Sequence, residues 1–573
     1  MKSVMVLALA VVARAGAQVT PDLSARSPRR CAGEMVTAID IQSHSSVPSG
    51  SLENMSPATS RAMRSHFPTT RADVVRAYLR VGVGRACLEI DRTESERLLR
   101  AQPFIAAAVV RVLDDGEGRV RLQVDVVDEL PVIAGGSLSR GRVASLMLGS
   151  LNFMGRGLAV TAQATRGFAY RNGFGVRAVQ YGIFGAPHFV AIEGERRPLG
   201  EILSFEFADP FSTALQRHAF RFAVRQASGY FSVTPDAGPD IALKGRRISY
   251  GAGWVNRVGT LDRHHTAGFL GAAILGESTR LHHDPTIVSD TGLVPALNAE
   301  FGSEYPELAD LRVAGIGGVR SVHFMPVRGF DALAAAQDVG VGIQLHVLAG
   351  PSVWAQGHAR EVFAAGEVYA GMGNERSFAS VHAISEGRGD YRSSVWSGMV
   401  SSARISWYTL AGRYWTRIVS VDAAAVRHLD VPAQLTFRDF DGGVVGYTSS
   451  RAAGGFRSVA RVEQRRRTTV LGSRADVAVS VFAIAGKLWA GDVPYGQTTN
   501  VRAALGLSLL AAYPSGGKRT YRVDVAFPLN PERGGARVEL RVSAIDRTRF
   551  LWLEPRDVAR VRTGSVPTNL MKW

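Results

Sequence analysis

From about residue 157 to residue 550 the sequence repeats one pattern, strand-length runs of alternating apolar and polar residues broken by Gly, Pro or Asp. No other feature constrains the fold as much, because period-2 alternation puts successive side chains on opposite faces of a strand and leaves little room for helical spacing. In "TYRVDVAFPL", Tyr521, Val523, Val525 and Phe527 fall on one face and Arg522, Asp524 and Ala526 on the other. "RVELRVSA" sets Val538, Leu540 and Val542 against Arg537, Glu539, Arg541 and Ser543, and "LSFEFADP" sets Leu203, Phe205 and Phe207 against Ser204 and Glu206. Roughly 16 to 18 such segments of about ten residues each are the signature of a large antiparallel transmembrane β-barrel, and about 16 strands are expected. Closure satisfies every backbone group without helices or a second sheet. A soluble propeller or repeat sandwich is the competing architecture.

The 573 residues are 46% hydrophobic, yet the apolar residues are dispersed. The longest apolar stretch, Val4 to Ala13, falls short of the roughly 20 residues that a membrane helix needs. Lys2 before it and Ala15-Gly16-Ala17 after it give a signal-peptide pattern over residues 1–17, interrupted by Arg14, and predict export. The formal net charge of +17 is carried almost entirely by Arg. Those arginines alternate with apolar residues and interleave with acids, as in Arg537, Glu539 and Arg541, which suits a polar barrel lining and predicts no nucleic-acid partner.

Before the array, residues 18–33 read as a linker and residues 34–134 as one small α+β domain. A strand, "MVTAIDIQS", leads to a Ser/Pro-rich loop over about 43–69. Thr70 then stands where a helix cap belongs, with Asp73 at N3 and Val74, Val75, Tyr78 and Leu79 on one face. Thr93-Glu-Ser-Glu96 has the form of a capping box opening a second helix that buries Leu98 and Leu99. Two strands joined at Asp114 to Gly118 complete a β-α-α-β-β order. Cys31 and Cys87 can form one staple across this domain; two separate thiols are the other reading.

"ESERLLRAQPFIAAAVVRV" followed by "GRVRLQVDVVDELP" resembles a POTRA domain, the periplasmic module of outer-membrane assembly proteins. "GSLNFMGRG" at Gly149 to Gly157 resembles the lead-in to the first barrel strand of BamA/TamA-type outer-membrane proteins, with Ser150 and Leu151 departing from that pattern. "FADPF" at 207–211 and "FAIAGKLWAGD", "ALGLSLL" and "YRVDVAFPL" follow in the order expected of that superfamily. The resemblance implies a POTRA-like periplasmic domain over 34–134, an outer-membrane barrel over 145–550 and a tail over 551–573.

In that superfamily a loop enters the lumen and presents a Val/Ile-Arg-Gly-Phe/Tyr tetrad whose Arg pairs with acids on the inner wall. A guanidinium fork in a lumen of low dielectric makes such a pair strong. Two stretches resemble it. Val327, Arg328, Gly329 and Phe330 match by residue type but precede about ten strand segments, whereas the superfamily's tetrad precedes about five. Val444, Val445, Gly446 and Tyr447 stand in the expected place, before "GFRSVARVEQRRR" with its Glu463-x-Arg465, but Val445 replaces the Arg. Arg438 and Arg451 are the available substitutes, and an exposed Gly turn is the bland alternative for both tetrads.

His264-His265 and His282-His283 with Asp284 do not make a metal site, because adjacent strand residues point apart. No nucleophile elbow, zinc-protease pair or phosphate-binding loop occurs, so neither catalysis nor a cofactor is expected. The function implied by the resemblance is assembly, insertion or translocation of outer-membrane or secreted proteins. Its partners would be outer-membrane lipid, an unfolded client barrel or passenger, and a periplasmic or inner-membrane protein bound through the POTRA-like domain. A passive or passenger-specific pore of the same superfamily is the first alternative, and a barrel-embedded hydrolase the second.

Overall fold

A computed structural model describes residues 29–46, 68–139, 142–259, 266–289, 291–296, 305, 307–356, 361–390, 395–468, 475–513, 515–532, 535, 537–546, 554–563 and 570. The expected signal peptide and most of the linker lie outside the described residues, as do His264 and His265.

The first unit runs β1 (Ala32–His44), α1 (Ala72–Arg76), β2 (Ala86–Leu88), α2 (Glu89–Arg100), β3 (Ile105–Asp114) and β4 (Arg119–Asp128). Its sheet has the order β2-β1-β4-β3, with β1 parallel to β4. Alternation along β4 sends Val120, Leu122, Val124 and Val126 into a core with Val74, Val75, Leu98 and Leu99. Gly116 and Gly118 supply the left-handed backbone of the β3–β4 turn, with φ of 76° and 68°. Cys31 and Cys87 are bonded, their Cα atoms 5.1 Å apart, and tie the start of β1 to β2.

Both expected helix caps are corrected. Helix α2 begins at Glu89, so Thr93 is inside it and returns its hydroxyl to the Glu89 carbonyl at 2.9 Å, while Glu96 pairs with Arg92 at 2.6 Å. The start is fixed by a tertiary contact, the Cys31 N–H donating to the Glu89 carboxylate at 3.1 Å, and by acids in the first turn. Helix α1 has Arg71 at its N-cap without a side-chain cap, because Thr70 is committed to Asp128.

From Val132 onward the chain forms a closed antiparallel barrel. Of the 22 strands in that sheet, the short Thr286–Ser289 and Gly292–Pro295 form a hairpin beside the wall, and 20 among the described residues make the wall itself. This corrects the expected 16; the wall begins at Val132 instead of 145, and its last described strand ends at Asp546. The first two wall strands, Val132–Ser139 and Arg142–Phe153, carry Gly and Ser where alternation would show, and so resemble linker. The motif at Gly149 to Gly157 is therefore the end of the second wall strand and the turn after it, not a lead-in to the first. Ten wall strands follow Phe330 and five follow Tyr447, as the spacing predicts.

The wall is inside out relative to a soluble sheet. On strand Arg502–Ala512, Leu505, Leu507 and Leu509 are about half exposed, whereas Ser508 is buried. On strand Phe456–Thr468, Val462 is exposed while Arg457, Glu463 and Arg465 are 2 to 3% exposed. On strand Leu308–Arg328, Val313 and Val319 face out and Arg312 and Arg320 face in. Water would select the opposite arrangement, so this wall matches hydrocarbon outside and a polar interior. Among the described residues no helix is long and apolar enough to cross a membrane, which a strand-built span does not require.

Candidate functional site

Strand direction gives the barrel two ends. The small domain touches one of them, with the Arg71 N–H donating to Gly155 and Arg97 to the Ser212 carbonyl in two wall turns. The turn after strand Leu308–Arg328 belongs to this end, because Arg100 of α2 grips Asp338 two residues into the next strand, at 2.6 and 3.0 Å. The Val444 loop leaves the opposite, far end.

Arg328 is exposed, and its one hydrogen bond among the described residues goes to the Ala334 carbonyl, at 3.1 Å, so it makes no ion pair of the latch kind there. The rest of its tetrad is buried. Gly329, with φ of 82°, turns the chain inward so that Phe330 packs against Phe378 and Tyr408. Arg465 donates to the carbonyls of Phe330 and Asp331 at 3.2 and 2.9 Å, and Thr416 to that of Gly329 at 2.7 Å. The turn is thus held through its backbone by an arginine of the wall.

That arginine belongs to a buried network. Glu463 receives Arg465 at 3.2 Å, Arg461 at 3.0 Å and Arg522 at 2.9 Å. Arg522 also binds Asp524 at 2.7 Å and the Ser508 hydroxyl at 2.7 Å. Glu463 and Asp524 face the lumen, as alternation predicts, and each accepts charge-assisted bonds that offset its burial. The wall itself supplies three guanidinium groups to the carboxylate that an incoming loop Arg would seek.

Val444, Val445, Gly446 and Tyr447 lie buried inside the far half, on a loop that folds into the lumen. Val444 sits where a Cβ on Gly486 would approach to 2.6 Å, so the wall opens a notch for it. Gly446 takes φ of 104°, and its N–H and that of Thr448 donate to Glu539 at 3.1 and 3.2 Å. Tyr447 donates to the Ala503 and Asn530 carbonyls at 3.1 and 3.2 Å. Val445 belongs to the apolar cluster with Phe437, Phe482 and Ile484. Arg438 and Arg451 pair with Asp240, at 3.7 and 3.5 Å, and among the described residues neither reaches Glu463 of the wall. They point across the lumen mouth, to Thr234 at 2.6 Å and to the Gly238 carbonyl at 2.6 Å.

The segment after the last wall strand returns into the lumen, which the sequence does not signal. Helix α3 (Arg556–Val561) places Asp557 against Arg457, at 2.5 and 3.1 Å, and against the Thr436 N–H at 3.1 Å. Arg562 pairs with Glu554 at 2.5 Å and with Glu386 of the wall at 3.2 Å. Leu570 is buried against Phe211 and accepts its N–H at 2.8 Å, near the small-domain end.

A third site joins the small domain to the barrel, and here the Gly149–Gly157 motif has its contacts. Asp128 accepts from the Thr70 hydroxyl and N–H at 2.6 and 2.8 Å, Asn152 donates to the Thr70 oxygen at 2.7 Å, and Gly157 N–H donates to Asn152 at 2.7 Å. A Cβ on Gly155 would meet the Thr69 carbonyl at 2.3 Å, so only glycine permits this approach. Burial pushes the Asp128 carboxyl up to about 7, against the lowering pull of the Thr70 hydrogen bonds.

Among the described residues no group of three His, Cys, Asp or Glu side chains could hold a metal. No protein-family model and no curated sequence matches the chain. Three solved structures are similar to it. CdiB from Escherichia coli has 11% identity over 93% of this chain and 94% of that one, with a TM-score of 0.44. CdiB from Acinetobacter baumannii has 9% identity over 89% and 73%, with a TM-score of 0.40. BamA from Haemophilus ducreyi, lacking POTRA domains 1–3, has 11% identity over 89% and 85%, with a TM-score of 0.37. The barrel stands on the strand pairing and inside-out burial described above, not on these likenesses.

Proposed function

We propose that this chain is an outer-membrane barrel protein of the BamA/TamA type whose POTRA-like periplasmic domain delivers unfolded client or passenger strands to the barrel for insertion or translocation. One observation carries the reading: a β-α-β-α-β-β domain, in which the short β2 adds a strand to the expected order, is docked on the strand ends of an inside-out barrel, with its edge strand β3 beside them. The groove between α2, β3 and the barrel carries Ala107 to Val109 on one side and Val327, Arg328 and Arg376 on the other. A sheet edge offers a row of backbone groups to an extended client by β-augmentation.

Val132–Ser139 and Glu539–Asp546 meet at the seam, each eight residues long, and the first contains Gly135-Gly136. Eight-residue strands make fewer ladder hydrogen bonds than the 21-residue strands elsewhere in the wall, which favours this seam as the point of opening. The loop through Val444–Tyr447 and the segment around α3 occupy the lumen, which favours a gated barrel over a permanently open pore.

The test is refolding of an unfolded client barrel in liposomes containing the full-length protein. Faster client folding than in empty liposomes supports the assembly role. Ion conductance with no effect on client folding would replace it with the pore reading. Recovery of the protein in the soluble fraction, with no heat-dependent gel shift, would remove the barrel and both roles.

A further inference from the structure

We propose that the far half of the lumen contains a binding chamber for soluble, chain-like multivalent anions, formed where strands Gly173–Ile183 to Ile241–Val258 face helix α3. The inference requires the barrel but not the client-handling role. Eight arginines and two glutamates line this chamber among the described residues, with no lysine or aspartate. It reaches from Arg197 to Gly200, at the far end, down to Glu206 and Arg221.

Most of the lumen balances its charges, and here the balance fails. Arg247 is paired with Glu277, Arg562 with Glu386 and Glu554, and Arg197 with Glu195. Arg177, Arg225 and Arg560 form no ion pair among the described residues, and Arg560 feels the Asp557 carboxylate of its own helix only at longer range. Among the described residues Arg560 hydrogen-bonds the Tyr230 carbonyl, at 3.4 Å. Arg221 gives its Nε to Glu206 at 2.8 Å, yet its Nη1 is buried with no acceptor among the described residues. A buried guanidinium N–H without an acceptor is costly, and an anion in the chamber is the group that would remove the cost.

Register sets the length of the ligand. Arg177 stands opposite Glu193, Glu193 opposite Ser204, and Ser204 opposite Arg225. Three strand spacings put the two arginine backbones about 14 Å apart along the wall. Extended guanidinium side chains narrow that gap to the reach of several linked phosphate or carboxylate groups, but not of one. These side chains face inward, since Phe174, Val176, Phe222 and Val224 on the same strands face out. The ligand is therefore water-borne, and a headgroup of the surrounding bilayer lies on the wrong side of the wall.

The experiment is calorimetric titration of the full-length protein, folded in detergent, with inorganic tripolyphosphate at low and high salt. Saturable binding that weakens with salt is expected from the wild type. The Arg177→Glu/Arg225→Glu double variant should bind at least about tenfold more weakly. Arg119→Glu/Arg121→Glu, an equal charge change on the exposed small-domain hairpin, should leave affinity unchanged. Heat-dependent gel mobility checks that each barrel is folded, and Arg225→Gln, expected to bind severalfold more weakly, replaces the double variant if it is not. Absence of saturable binding by the wild type overturns the proposal, as does equal weakening by the luminal and hairpin variants.

Discussion

Asp128 accepts both the hydroxyl and the backbone N–H of Thr70, at 2.6 and 2.8 Å, and Asn152 of the barrel, donating to the same hydroxyl, ties this pair to the wall. The folded carboxyl sits at about 7, above its ordinary 3.8, because burial outweighs the hydrogen bonds. The folded state therefore holds this proton more tightly than the unfolded chain does. Its contribution to stability is present below about pH 4, declines as pH rises towards 7 and is gone above that. Thermal unfolding of the small domain should accordingly show a midpoint that falls from pH 5 to pH 8. Asp128→Asn, which keeps an acceptor but cannot ionise, should flatten that slope; equal slopes in the two proteins would refute the assignment.

Arg100→Ala should loosen the small domain on the barrel without opening the barrel. Its fork on Asp338 is mostly buried, and breaking one side of such a pair costs about 3 to 5 kcal/mol. Limited proteolysis should detect faster cleavage between the domains, with heat-dependent gel mobility unchanged.

Glu463→Gln should lower the temperature of that gel shift. The substitution leaves Arg461, Arg465 and Arg522 facing one another around a neutral amide, a loss of about 3 to 5 kcal/mol for an uncompensated buried charge. Arg465→Met tests the other end of the network. It should free the Gly329–Asp331 turn, seen as increased hydrogen exchange there, while the Val444 loop stays protected.

Val445→Arg gives the loop the full form of the tetrad that it resembles and should nevertheless destabilise the protein. Val445 is 3% exposed within an apolar cluster, and the wall's own arginines already engage Glu463. A lower unfolding temperature is expected; a rise would mean that the loop can re-aim towards the acid.

Removing residues 554–573 should leave a folded barrel with a looser far end. Asp557 holds both Arg457 and the Thr436 N–H, so its loss leaves Arg457 buried without its acid. Protease cleavage within 428–455 and conductance in planar bilayers should both increase over the full-length chain.

The wall was legible because its pattern is local. Alternation sorted Arg522 and Asp524 from Val523 and Val525 with no knowledge of neighbours, and the numbers of strands after the two tetrads were also readable. What failed was settled at long range. Thr70 and Thr93 had the form of caps, but Asp128 took the first and a contact from Cys31 moved the helix start away from the second. Arg328 had the right identity, yet the Phe330 backbone, bound by Arg465 from 135 residues away, does the holding. No spacing in the sequence announces Glu386 with Arg562 or Asp557 with Arg457, since those pairs exist only once the wall is curved.

The return of the chain into its own lumen bears on the order of folding. Phe211 and Leu570 meet across most of the polypeptide, and Asp557 reaches Arg457 over 100 residues. Contacts at such separations form late, because loop closure costs entropy before they reward it. The seam between Val132–Ser139 and Glu539–Asp546 spans more of the chain than either contact, so ring closure and the filling of the lumen both belong to the last stage of folding.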